Sequence, residues 1–280
     1  MKLLEIINSN LSNTEKESRV SALFHFDPPS EIKHNSKKED SFYTGLAQAA
    51  LSTPFMDYYS IYQDLKSDTH LIDYGSAYSK GTLLFEALGE KECHSYEYLE
   101  NRVLYTQELL KKLHLNPNKV YQCNLLSADI PIGDAYLIYI PLGELFFRLI
   151  HKLYNEGKAA IFYIIESHGD FLDYVYALKE WFKLEKIIDS HTERHQAGVH
   201  KFIFSPKEVN TNDLLYKYIL EYDNDYKLSV IEDTKEREIL LKESLPIKYN
   251  DSMAIESFEL KRIIDNKIIH LKNPHLVIGE

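Results

Sequence analysis

The stretch "HLIDYGSAYSKGTLLFEAL", His70 to Leu88, decides how the rest of the chain is read. Its first five residues form the short, largely apolar run of a buried strand. The segment "KGTLLFEAL" places apolar residues three and four apart, as a helix does. Between the two stands "GSAYS", in which Gly75, Ser76, Ala77 and Ser79 are all small. A strand, a tight turn and a helix in that order send the turn's backbone N–H groups into the crevice beyond the strand ends, where open α/β sheets bind ligands. Small residues suit that place because a ligand can then lie against the backbone. Tyr78, the one large residue of the turn, is expected to direct its side chain outward.

Working outward, residues from Thr69 to Ser205 keep the same alternation. "ECHSYEY" (92 to 98), "KVYQC" (119 to 123), "AYLIYI" (135 to 140) and "AAIFYII" (159 to 165) read as further strands. "LENRVLYTQELLKKLH", "GELFFRLIHKLYNEG" and "DFLDYVYALKEWF" read as the helices between them. Near-continuous apolar strands separated by helices signal a parallel sheet covered on both faces, with right-handed crossovers. The last two apolar runs, Leu184 to Ile188 and Val199 to Phe204, have no helix-length segment between them, so they must pair antiparallel. The expected fold is α/β: a doubly wound seven-stranded sheet of five parallel strands and a closing antiparallel hairpin.

On this reading residues 1–66 form a helical N-terminal segment that lids the crevice, broken by the polar loop from Asp27 to Asp40. Residues 67–207 form the ligand-binding domain, and 208–280 a small β-rich subdomain. In the last of these, "YKYILEYDNDYKLSVI" and "ELKRIIDNKIIHL" each look like two strands around a tight turn.

Composition narrows the function classes. A chain of 280 residues with 44% hydrophobic and 27% charged residues can bury a full core. Cys93 and Cys123 are too few for a disulfide framework, the N-terminus has too short an apolar run for a signal peptide, and no stretch is apolar for long enough to span a membrane. A soluble, cytoplasmic protein with no membrane partner is expected. The net charge of −11 opposes sequence-independent binding to phosphate backbones, so nucleic acid is not expected as a partner. Oligomeric state is not legible.

A second marker accompanies the loop. Glu97 closes the next strand, where a carboxylate can accept from both hydroxyls of a ribose; an acid at a helix start, favoured by the helix dipole, is the competing reading. Together "LIDYGSAYSKGTLLFEAL", "CHSYEY", "YQCNL" and "DAYLIYIPLG" resemble the class I S-adenosylmethionine-dependent methyltransferases over about residues 50 to 205. The first motif of that family runs acid, any residue, Gly, Ser or Cys, Gly, any residue, Gly. Here Ala77 and Ser79 stand at the second and third glycines, a degenerate form nearest to the subset that includes the non-SET histone lysine methyltransferases.

The resemblance implies S-adenosylmethionine as cofactor. It places Asp73 where an acid supports the loop or the methionine ammonium, Gly75, Ser76, Ala77 and Ser79 against the cofactor, Glu97 on the ribose and Tyr98 beside the adenine. Asn124 would accept from the adenine amino group through its amide oxygen, with Leu125 packed on the ring. "TPFMDYY", Thr53 to Tyr59, resembles the segment some members place over the methionine end. The implied function is methyl transfer to a small-molecule or protein acceptor. The alternative is a catalytically inactive binding or scaffolding protein on the same fold. A nicotinamide-dependent oxidoreductase is a weaker reading, opposed by the closing hairpin and by the lack of Gly-x-Gly-x-x-Gly.

The catalytic group is open, with three candidates. Tyr139 ends the fourth strand, where it could line the methyl site or simply pack beneath the next helix. Glu166 and His168 follow the fifth strand and could act as base and orienter, or could merely belong to a polar helix entry. His191, His195 and His200 fall on the hairpin and its turn with no cysteine nearby, so no metal site is expected.

Overall fold

The computed structural model describes residues 2–29, 53–125, 127–139, 143–165, 172, 175, 181–191 and 198–206, together with strands at 226–232, 235–240, 257–262, 268–272 and 277–278. Among the described residues, the helices with full bounds are α1 (Leu3–Ile7), α2 (Asn13–Leu23), α3 (Phe55–Asp64), α4 (Lys80–Leu88), α5 (Glu100–Lys112) and α6 (Gly143–Asn155). The first sheet comprises β1 (His70–Tyr74), β2 (Glu92–Glu97), β3 (Val120–Gln122), β4 (Ala135–Tyr139), β5 (Ala160–Ile165), β6 (Phe182–Ile188) and β7 (Val199–Phe204).

Local chemistry sets these boundaries. In α2, Ser12 accepts from the Glu15 N–H while Glu15 reaches back to the Ser12 N–H, a reciprocal cap that satisfies two otherwise unpaired donors. α4 stops at Gly89, whose φ of +74 is cheap only for glycine. Lys111 and Lys112 close α5 against the negative end of its dipole. β1 and β4 are buried along nearly their whole length, which is why they read as unbroken apolar runs.

The strand order is β3-β2-β1-β4-β5-β7-β6. β1 pairs parallel with β2 and β4, β2 with β3, and β4 with β5. The last two strands run antiparallel to each other. The Ser205 N–H donates to the Trp181 carbonyl at 3.0 Å, and at the other end Gly198, with φ +78, lies against the Ile188 carbonyl. The sheet is therefore the mixed seven-stranded sheet expected. The helix expected over "DFLDYVYALKEWF" falls largely outside the described residues; Leu172 and Val175 are helical, but Phe182 already belongs to β6.

The chain divides into two compact units: Met1–Ile140 with Ala160–Ser167 and Leu184–Phe202, and Pro141–Ala159 with His168–Lys183 and Ile203–Glu280. In the first, a core of aliphatic and aromatic side chains joins α1, α2 and α3 to α4, α5 and the strands. α3 is fastened there by a carboxylate at each end. Asp64, at its C-terminus, accepts from the Tyr163 hydroxyl at 2.6 Å and pairs with Lys201 at 2.8 Å and with Lys186. Asp57, in its first turn, accepts from the backbone N–H of His191 at 2.8 Å.

In the second unit, Phe146, Leu149, Ile150 and Leu153 make the buried stripe of α6, and Tyr154 stacks on Trp181. The same unit holds a five-stranded sheet of β8 (Tyr226–Glu232), β9 (Lys235–Leu240), β10 (Ser257–Arg262), β11 (Ile268–Lys272) and β12 (Val277–Ile278), in the order β12-β11-β10-β8-β9. β10 and β11 pair antiparallel. β8 pairs with β9 and β10, and the strand expected before Asp223 lies outside the described residues.

Candidate cofactor site

The parallel register brings the ends of three strands to one edge. Tyr74 lies opposite Tyr96, and Glu97 opposite Gln122, so the loop after β1, the acid closing β2 and the turn after β3 are neighbours. The loop itself is left-handed at alternate residues. Gly75 has φ +84, and Ala77 and Ser79 each have φ +49. Ala77 and Ser79 thus hold a backbone that suits glycine, at a cost of roughly 1–2 kcal/mol each. Strain held in this way needs surroundings that over-determine it.

Those surroundings are visible. The Gly75 and Ser76 N–H groups both donate to the Tyr96 carbonyl at 3.0 Å. The Ala77 N–H donates to Glu97 Oε2 at 2.8 Å, the Ser76 and Ser79 hydroxyls pair at 3.0 Å, and Thr106 Oγ1 donates to the Tyr78 carbonyl at 2.9 Å. Ser76, Ala77, Tyr78 and Ser79 are all buried, whereas Gly75 is exposed.

The outward Tyr78 expected from the sequence is corrected: its ring is buried against Phe26 and Tyr105, with the Arg102 guanidinium over its face. A large apolar ring gains more from this aromatic cluster than from solvent.

Asp73 is buried at the end of β1 and accepts from the Tyr58 hydroxyl at 2.7 Å. Burial pushes its carboxyl up to about 7; the Tyr58 bond opposes this, while the charge of Glu97 adds to it. Tyr58 also explains Gly81 in the first turn of α4, because a side chain there would meet the Tyr58 ring at 2.5 Å.

Glu97 is buried as well. Burial raises its carboxyl, and the nearby Arg102 and the backbone N–H groups of Leu99, Ala77 and Tyr98 oppose the rise. Arg102, itself buried, stands 3.7 Å from Glu97 Oε1. Tyr98 is 62% exposed and Asn124 is exposed, while Leu125 is buried.

These residues fit a ribonucleoside cofactor at the lip of the edge. A Cβ placed on Gly75 would meet nothing within 4 Å, so the space over the loop's exposed residue is open. Each carboxylate oxygen can accept twice, so Glu97, which accepts from the Ala77 N–H through Oε2 and from the Leu99 N–H through Oε1, keeps acceptor capacity on both oxygens. Tyr98 and Asn124 present an aromatic ring and an amide at the same lip.

Of the catalytic candidates, Tyr139 closes β4 opposite Ile165; Glu166 and His168 lie outside the described residues, as does His195. His200 is buried on β7, and among the described residues no cluster of three metal-ligating side chains occurs. Two participants escaped the sequence reading. Tyr58 carried a signal in "TPFMDYY", and Arg102 is a polar residue on the buried stripe of α5.

No protein-family model matches the sequence, and no curated protein matches it. Solved structures do resemble it. A ribosomal protein L11 methylase from Lactobacillus delbrueckii subsp. bulgaricus aligns with TM-score 0.41 and 17% identity over 54% of this chain and 77% of its own. An rRNA methylase from Streptococcus thermophilus aligns with TM-score 0.39 and 14% identity over 54% and 95%. Phosphoethanolamine N-methyltransferase 1 of Haemonchus contortus, solved with phosphoethanolamine and S-adenosylhomocysteine, aligns with TM-score 0.45 and 11% identity over 76% and 53%.

The chain has an α/β fold built on a mixed seven-stranded sheet. These likenesses concern the fold and assign no acceptor. They do correct one expectation, that nucleic acid is not a partner: an rRNA methylase is among the proteins sharing this fold. The physical reason is that net charge sums over the whole chain, whereas contact with a phosphate backbone needs only a local basic surface.

Proposed function

We propose that the protein is an S-adenosylmethionine-dependent methyltransferase whose cofactor lies along the carboxyl edge of β1, β2 and β3. The observation that carries this reading is the loop after β1, left-handed at Gly75, Ala77 and Ser79 and joined to Glu97. A chain with no use for that conformation gains nothing from holding Ala and Ser in it. Gly75 would let the methionine portion lie against the backbone, Glu97 would accept from a ribose hydroxyl, Tyr98 would flank the adenine, and Asn124 would accept from its amino group. Leu125 would support the ring from beneath. Bound there, the cofactor supplies an electrophilic methyl group on a sulfonium sulfur. Asp73 carries a negative charge toward the methionine ammonium only when its proton leaves, and Tyr58 keeps the resulting carboxylate hydrogen-bonded in its buried setting. Alignment of the acceptor with the methyl group supplies most of the rate, as in any in-line displacement held in one geometry. Calorimetric titration with S-adenosylmethionine and S-adenosylhomocysteine tests the reading.

One observation favours a second reading, a binding module without turnover. Glu97 already accepts from the backbone beside it, with Arg102 nearby. Cofactor binding without S-adenosylhomocysteine production, across RNA, protein and small-molecule extracts, would support that reading.

A further inference from the structure

We propose that His191, oriented by Asp57, is the group that takes the proton from the methyl acceptor, whose nucleophile is then a phenol, another hydroxyl or a ring N–H. The assignment rests on the methyltransferase reading above and deepens it.

His191 stands three residues beyond Ile188, the last residue of β6. Its backbone N–H donates to Asp57 Oδ1 at 2.8 Å, and its ring Nδ1 lies 3.3 Å from the same oxygen and 3.3 Å from Ser60 Oγ. Ser190 Oγ reaches Asp57 Oδ2 at 3.3 Å. The Asp57 side chain is fully buried, whereas that of His191 is 25% exposed. A buried carboxylate against one ring nitrogen fixes the tautomer, placing the proton on Nδ1 and leaving Nε2 as a lone-pair acceptor. Nε2 has no partner among the described residues.

The location matches the role. Asp57 and Tyr58 are consecutive in the first turn of α3: one holds His191 and the other holds Asp73 at the start of the cofactor loop. Consecutive residues of one helical turn thus anchor both the His191 segment and the strand that leads into the loop. In the transfer, the acceptor's proton goes to Nε2 while its lone pair forms the new bond to the methyl carbon. The pair of the breaking C–S bond returns to sulfur, leaving a neutral thioether and an imidazolium beside the Asp57 carboxylate. Asp57 is a positioning residue; His191 is the catalytic one.

The test uses the full chain with 15N- and 13C-labelled histidine. Calorimetry first measures binding of S-adenosylmethionine; NMR then follows His191 as cofactor carrying a 13C methyl is added, with His191→Gln used to assign its signals. The expected result is an unprotonated Nε2, a protonated Nδ1 and a nuclear Overhauser contact between the cofactor methyl and the His191 ring. Asp57→Asn should shift the ring toward the other tautomer. Cofactor binding without that contact, or with the proton on Nε2, overturns the role of His191 while leaving the cofactor site standing. Absence of binding heat overturns both.

Discussion

The Tyr58 hydroxyl donates to Asp73 Oδ2 at 2.7 Å, with both side chains buried. That bond ties the helix preceding the sheet to the strand that leads into the loop after β1. It also opposes, without cancelling, the rise that burial imposes on the Asp73 carboxyl.

Asp73 has an ordinary value of 3.8 and is pushed up to about 7 by burial. The folded state therefore holds the proton more tightly than the unfolded one. This contribution to stability is full below the ordinary value and is lost as pH rises through about 7. Asp73→Asn keeps an acceptor for Tyr58 and cannot ionise. Relative to wild type the variant should gain about 2 kcal/mol between roughly pH 5 and pH 8, measured by urea denaturation at each pH. Parallel stability profiles for the two proteins would refute the buried-acid description.

Ala77 and Ser79 hold a φ of +49. Ala77→Gly should stabilise the protein by up to about 1 kcal/mol, the relief of strain being offset in part by the freer unfolded chain. Ser79→Gly should gain less, because it also removes the hydroxyl pair with Ser76. Thermal melts would show the ordering, and a loss of stability in Ala77→Gly would contradict the left-handed assignment.

Gly81 has no such backbone need; its constraint is the Tyr58 ring, 2.5 Å from where a Cβ would stand. Gly81→Ala should cost about 1–3 kcal/mol by overpacking. Combined with Tyr58→Leu, which makes space, the added cost should largely vanish. A double-mutant cycle reads this coupling directly, and simple additivity would show that the two residues do not share the space.

At the other end of α3, burial pushes the Asp64 carboxyl up, but its bonds to Lys186, Lys201 and Tyr163 outweigh this and hold it below its ordinary value. Its contribution is thus present above the ordinary carboxylate range and is lost as pH falls through the lowered value. Asp64→Ala strands the largely buried Lys201 without one of its two carboxylate partners, the other being Glu185. A loss of about 2–4 kcal/mol at neutral pH is expected, shrinking in acid. An equal loss at all pH values would mean that packing, not charge, is what Asp64 supplies.

The strands were legible because burial on both faces leaves them as apolar runs, as in β1 and β4, and the closing hairpin because Ile188 and Val199 are too close in sequence for a crossover helix. The loop was legible from its small residues. The direction of Tyr78 was not, since a turn residue's exposure depends on Phe26 and Tyr105, which come from distant segments. The partners of Glu97 were equally hidden: an acid at a strand end looks the same whether it faces a ribose or the Ala77 N–H. The pairing of Asp57 with His191 joins residues far apart in the chain, and no local pattern announces it.

The central claim is a cofactor site at the edge of β1, β2 and β3 that depends on Glu97. Calorimetric titration of the full chain with S-adenosylhomocysteine tests it most directly. Saturable heat, weakened at least about ten-fold in Glu97→Ala, corresponding to about 1.4 kcal/mol, is the predicted result. No measurable heat with wild type at millimolar cofactor, or full affinity in Glu97→Ala, would contradict it.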